Sequence, residues 1–313
     1  MSLALTRPKG LTWTVLRLHR VALWLWTAYV ALTAGTLLWL WGPGTDGLDL
    51  SGRCATGSVT GCVSEGATAA TYYKALSVVD AGMSGVPLLV AVFTGGVLIG
   101  RELERGTAQL AWTQSVSPAH WLRTKLTVPA LLLTVGMALL VTLRHAVAAR
   151  ARGLSENEWF SGAYDILGPT AVALPLLALA CGALAALLQR KLLPAAALGA
   201  VLTLTLALCV QFLHPHLWPT RTVVGTLAQG YRGYTGESVS EGAVTSTGAH
   251  IADPICIDDK QCLAAHDVTG YYSTFHPTNH FWPLQLMETT VVLALAAAVT
   301  YATFRILRHR TAA

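Results

Sequence analysis

The chain has 313 residues, 53% hydrophobic and only 12% charged, with a mean hydropathy of +0.52. That is about half the charged share of a soluble domain, which excludes an ordinary water-soluble fold. The formal charge of +5 comes from basic residues that bracket apolar runs instead of forming a stripe, which argues against nucleic acid as a partner, and six cysteines without a CxxC pair are too few for a disulfide scaffold.

In chain order, residues 1–20 carry Arg17 and Arg20 ahead of a long apolar run. Leu11, Val15, Leu18 and Ala22 share one helical face and Trp13, Arg17 and Arg20 the other, the pattern of an interfacial helix; positive-inside flanking accounts for the same arginines equally well. A bilayer core takes about 20 apolar residues in a helix. Six runs of that size follow. They are Val21 to Trp41, Ala81 to Gly100, a third from just after Lys125 to about Ala148, Ile166 to Gln189, Leu192 to about Leu213, and about Leu284 to Phe304. Lipid offers a backbone no hydrogen-bonding partner, so all six read as helices. The expected fold is therefore all-α and polytopic, one transmembrane domain over 1–313 with both termini cytoplasmic.

On this topology, 42–80 and 214–283 are external loops and 101–125 is the one sizeable cytoplasmic loop. The cytoplasmic pieces hold 13 of the 21 basic residues and two acids, Glu102 and Glu104; the external pieces hold eight basic residues and 13 acids. The asymmetry follows the positive-inside rule, with Arg144, Arg150 and Arg152 on the wrong side but suited to the dipole at a helix C-terminus. Cysteines agree: Cys54 and Cys62 fall in one external loop and Cys256 and Cys262 in the other, so the simplest expectation is one disulfide within each. Cys181 and Cys209 lie inside spans and read as small apolar residues. His276 and His280 have the spacing of a chelating pair, but Pro277 lies between them and nothing completes a set, so no metal is expected.

The spans hold almost no ionisable groups, which disfavours an ion-driven pump. No lysine follows a glycine, so the chain builds no GxxxxGK[ST] phosphate loop and is not expected to be an enzyme. Glu288 is the one acid inside a span. It reads as a first-turn carboxylate stabilised by the helix dipole, weighed against a functional role. The stretch RELERGTAQLAWTQSVSPAHWLRTKL, 101–126, mixes charge with Trp112 and Trp121, and Pro118 is expected to split it into two short helical pieces. Such a loop suits a protein interface or, as readily, a solvated hairpin.

The segment PLLVAVFTGGVLIGRELERGTAQLAWTQSVSPAHWLRTKL resembles the permease subunits of type-two ATP-binding-cassette (ABC) transporters, particularly the actinobacterial kind. The closing stretch FHPTNHFWPLQLMETTVVLALAAAVTYATFRILRHR is similar to the same group's last span. The resemblance implies a coupling helix seated on a separate nucleotide-binding subunit. Arg101, Glu102, Glu104, Arg105, Gly106 and Thr107 would form its turn and polar contacts, with Trp112, Thr113 and Gln114 packed beside them. It also implies an external gate at the start of the last span, carried by Phe281, Trp282, Pro283, Gln285 and Glu288. ATP and Mg would sit on the partner ATPase, with no cofactor on this chain. A second permease chain and membrane lipid would be the other partners, in a bacterial plasma (inner) membrane. The expected activity is export of an amphipathic or lipophilic substrate such as a drug, lipid or peptide. The competing expectation is a sensor or self-immunity subunit that uses the same ATPase without transport.

Overall fold

The computed structural model of the chain describes residues 20–46, 48, 67–113, 116–150, 163–231, 236–256 and 259–312. The expected amphipathic segment before the first span, Cys54 and Cys62, Arg152, and Gln114 lie outside the described residues.

Six helices are long and apolar enough to cross a bilayer. They are α1 (Arg20–Trp41), α2 (Ala67–Val92), α5 (Pro118–Arg150), α7 (Thr170–Gln189), α8 (Leu192–Leu213) and α10 (Phe281–Ala312). Between α2 and α5 the chain makes α3 (Arg101–Glu104) and α4 (Thr107–Thr113), and before α7 it makes the single turn α6 (Tyr164–Leu167). The apolar runs thus locate every span, but the helices overrun them. Helix α2 starts 14 residues before Ala81, in a stretch beyond the apolar run that contains no Gly or Pro to stop a helix. Pro118 opens α5 instead of dividing the loop, since proline fits a helix's first turn where its missing N–H has no partner to lose. The loop breaks earlier, at Gly106, whose φ of +71° is the left-handed conformation that glycine adopts without strain.

Helix α7 is the hub: 14 of its 20 residues are buried, while α1, α5 and α8 present most of their length outward, toward lipid. Its alanines and glycine explain the position. In lipid no hydrophobic force pulls helices together, so close packing of small residues decides who sits in the centre. A Cβ added at Gly182 would lie 2.6 Å from the Ala91 carbonyl oxygen of α2, and one at Gly199 of α8 would lie 3.1 Å from the Gly182 Cα. Gly95, in the π-helical stretch Phe93–Gly100 that continues α2, abuts the Ala195 backbone of α8 in the same way. These glycines therefore serve packing within the chain. Replacing Gly182 by leucine forces α7 away from α2 and α8; thermal unfolding in detergent is expected to show a loss of about 3 kcal/mol or more, the upper end for overpacking.

Span α5 is clamped at two depths, to α2 at one and to α3 at the other. At one level the Arg144 Nε and Nη2 donate to the two Asp80 carboxylate oxygens at 2.8 and 3.2 Å. At the other, Lys125 Nζ donates to Glu102 Oε1 at 2.5 Å. Asp80 and Glu102 are 22 residues apart, roughly 33 Å along a helix at 1.5 Å per residue, which is about the thickness of a bilayer core. Placed in a bilayer, the two ion pairs would sit near its two faces. Arg144 is placed by Asp80 rather than by the helix dipole alone, and Arg150 stacks over Trp41 at 5.2 Å.

The 214–283 segment, expected only as a long loop, folds into a four-stranded antiparallel sheet in the order β1-β4-β2-β3. Its strands are β1 (Arg221–Thr226), β2 (Gly236–Thr245), β3 (His250–Ile251) and β4 (Val268–Pro277). β-branched and aromatic residues drive it, as in RTVVGT and VTGYYSTF, with one face of β4 turned inward at Val268, Ser273 and Phe275. The short helix α9 (Lys260–Ala265) is capped by Asp259, which accepts from Gln261 N–H and Cys262 N–H. A Cys256–Cys262 disulfide ties it to the preceding strand connection, the expected pairing in this loop. Of the two span cysteines, Cys181 is buried as expected, whereas Cys209 is exposed on the outside of α8.

Candidate functional site

Two places gather the residues singled out in the sequence, one at each end of the bundle. At the first, the loop α3–α4 packs on the end of α5. Glu102 is turned inward: besides its pair with Lys125, its carboxylate accepts from the Trp121 indole N–H at 3.2 Å. Lys125 and Trp121 are buried, so this carboxylate neutralises a cation in the core. Glu104 accepts from the Leu192 backbone N–H at 2.9 Å and so caps α8, an orphan donor at a helix start meeting a negative charge. Thr107 donates to the Glu102 carbonyl at 3.2 Å, bracing the Gly106 turn. Trp112 meets Trp121 edge to face at 5.7 Å and also faces inward.

Among the described residues of the loop, Arg101, Glu104, Arg105, Thr107, Gln109, Leu110 and Thr113 are exposed. Leu110 is 60% exposed at the loop's crest. An exposed apolar side chain on a loop that also exposes Arg101 and Arg105 has the make-up of an interface anchor. Sequence reasoning missed Leu110 because a leucine in an apolar chain carries no signal; its position after the turn at Gly106 is what exposes it.

At the opposite end the start of α10 meets α6, α7 and the sheet. Helix α10 begins at Phe281, so Glu288 lies two turns in, not in the first turn, and it is 2% exposed rather than wet. His214 bridges two carboxylates, its Nδ1 2.8 Å from Glu288 Oε1 and its Nε2 2.7 Å from Glu237 Oε2 of β2. A neutral imidazole has one N–H and serves one of these; the doubly protonated ring donates to both. The Tyr164 ring packs against His214 at 4.7 Å, and burial together with the Glu288 charge raises the Tyr164 hydroxyl pKa well above its ordinary value. Burial and then the same charge raise Asp165. His276 of β4 is buried, its Nε2 facing the Pro215 carbonyl at 3.2 Å and its Nδ1 lying 3.4 Å from His280 Nδ1; burial lowers its pKa.

Around this charged centre, Gln285 donates to the Tyr164 carbonyl at 2.8 Å and accepts from Thr170 N–H, fastening α10 to α6 and α7. It does so by lying against Gly168, where any Cβ would collide with it. Phe281 is buried against Tyr164, whereas Trp282 is half exposed and leans on His145 at 5.6 Å; Pro283 occupies the first turn of α10. Of the five residues expected at this end, Phe281, Gln285 and Glu288 pack into this cluster, whereas Trp282 leans outward on His145; the His214 and Glu237 that join Glu288 were not foreseen together. Replacing His214 by glutamine, which keeps a single hydrogen bond, is expected to cost about 1 to 3 kcal/mol and to raise amide exchange in β2 and β4 without melting the helices; hydrogen-exchange mass spectrometry reads it.

A six-span helical bundle with a buried hub, a compact loop at one end and a sheet docked on the other defines a multi-pass membrane permease. The chain belongs to the ABC-2 membrane transporter related family, whose pattern matches residues 13–217, spanning α1 to α8 and the α3–α4 loop. The sheet and α10 lie beyond the matched residues. No curated protein and no solved structure matches the chain.

Proposed function

We propose that this transport permease is the membrane half of an ABC exporter and is driven by a separate nucleotide-binding subunit seated on the α3–α4 loop. The reading is carried by Leu110, 60% exposed on a loop whose two acids already have partners within the chain. A loop braced at both ends passes a push directly into the bundle: Glu102 is tied to α5 through Lys125, and Glu104 to the start of α8. Closure of a pair of ATPases, with nucleotide and Mg bound on them, would tilt α5 and α8 together and open a path between two permease chains. The cargo is amphipathic or lipophilic. The bundle's interior offers apolar and hydroxyl side chains, and its two membrane-face ion pairs are closed on themselves. Membership of the family and the geometry of the loop support this reading. The test is affinity purification of the tagged chain from its own cells. An ABC ATPase is expected among the retained proteins, and its absence under conditions that keep the permease folded would refute the coupling.

A further inference from the structure

A cleft opens between α1 and the pair α2 and α5. One end is a cavity of about 360 Å³ walled by apolar groups such as Trp26, Leu89, Phe93, Pro129 and Leu132. The other is a cavity of about 540 Å³ bordered by Thr33, Thr36, Thr71 and Lys74. Tyr29 lies in the wall of both, so the two halves meet at its ring. Each volume falls in the range of small-molecule sites.

The polar groups are arranged by depth. Lys74 is six residues beyond Asp80, roughly 9 Å past the ion pair near the membrane face, which is the level of lipid headgroups. Among the described residues no carboxylate pairs with it. Further in, the Thr94 hydroxyl is fully buried in the π-helical stretch at the wall of the apolar half. The apolar half thus offers a hydrocarbon chain an almost wholly apolar wall, while the outer half offers a cation and hydroxyls to an acidic head.

We infer that this cleft is a binding site for an anionic amphiphile, its acidic head at Lys74 and the neighbouring threonines and its hydrocarbon chain in the apolar half beside Trp26 and Phe93. The inference rests on the exporter reading in one respect: the amphiphile is the cargo and not a resident lipid. A cation at headgroup depth above a dry channel selects by charge at one end and by apolar burial at the other, at about 0.8 kcal/mol per buried methylene.

The test uses the full chain in detergent, without any ATPase, and a hexadecyl phosphate carrying a diazirine at mid-chain. The uncharged hexadecanol analogue serves as comparator. Labelling is expected on peptides of α1 and α2 that line the apolar half. Lys74→Glu should lower labelling by the phosphate about fivefold or more, the pull of one lysine at a membrane surface, while leaving the alcohol unchanged. Val128→Phe, which fills the apolar half, should lower both, with circular dichroism and gel filtration reporting that each variant is folded. Labelling spread evenly over the outward faces, or indifferent to both substitutions, overturns the site. Labelling replaced by crosslinks to a second copy of α1 assigns the cleft to a seam between chains and overturns it as well. In a second arm, hexadecyl phosphate is added to the permease with its ATPase: stimulated ATP turnover is the expected sign of cargo, and binding without stimulation identifies a resident lipid and overturns the cargo assignment. Binding is read on the permease alone, so it fails or stands separately from the ATPase partnership.

Discussion

Replacing Asp80 by leucine is expected to lower the stability of the detergent-solubilised chain by about 3 kcal/mol, read as a fall in Tm. The cause is less the lost contact than the lost counter-charge: Arg144 is 1% exposed and donates to both Asp80 carboxylate oxygens. Removing one member of a buried pair typically costs about 3 to 5 kcal/mol, and the lower figure applies because Asp80 remains 22% exposed. The same physics predicts rescue. Asp80→Leu with Arg144→Met removes both charges, and replacing a buried pair by apolar groups of similar size is often neutral, so the double variant should recover most of the loss. A double variant as unstable as Asp80→Leu would show that packing, not charge, holds α2 to α5 at this level.

The second large effect concerns the partner. Leu110→Glu should reduce ATPase retention at least tenfold, because an exposed apolar anchor at the centre of a small interface carries a large share of binding, of the order of 2 kcal/mol or more. Arg105→Glu should weaken retention further at low salt. Neither change touches a contact inside the chain, so both variants should insert and melt as the unchanged protein does. Glu102→Gln is the informative contrast. It breaks the pair with buried Lys125 and should lower thermal stability before it lowers docking. If Leu110→Glu binds the ATPase normally while Glu102→Gln does not, the docking surface lies elsewhere.

Much of this architecture was legible because lipid is a severe judge of sequence. Uncharged runs of about 20 residues have one outcome in a bilayer, and each of the six produced its helix. The ends were less legible. Ala67 to Asp80 carry no apolar period that a span search would notice, yet they extend α2 well past the membrane face, and that extension is what brings Lys74 to headgroup level. Arg144 looked misplaced because its explanation, Asp80, lies 64 residues away on another helix. Glu288 looked like a wet first-turn acid because nothing local announces that α10 starts at Phe281 or that His214, 74 residues back, closes over it. The sheet was hidden for a different reason. Its alternating Val, Thr and Tyr are a weak signal beside the long apolar runs, and Gly225, Gly242 and Gly270 interrupt it. In the loop, the motif located the right segment but not the direction of its side chains. Two acids that read as surface contacts brace the chain, Glu102 from within and Glu104 from the surface, and a leucine that read as nothing is exposed.

The central claim is that the chain moves cargo only on another subunit's ATP. It is tested most directly in sealed proteoliposomes that hold the permease with or without its co-purified ATPase, loaded with a fluorescent amphiphile and given ATP and Mg. Movement of the amphiphile across the bilayer is expected only when both proteins and ATP are present, and not with Leu110→Glu permease. ATP-driven movement by the permease alone, or unchanged movement with the Leu110→Glu variant, would contradict it.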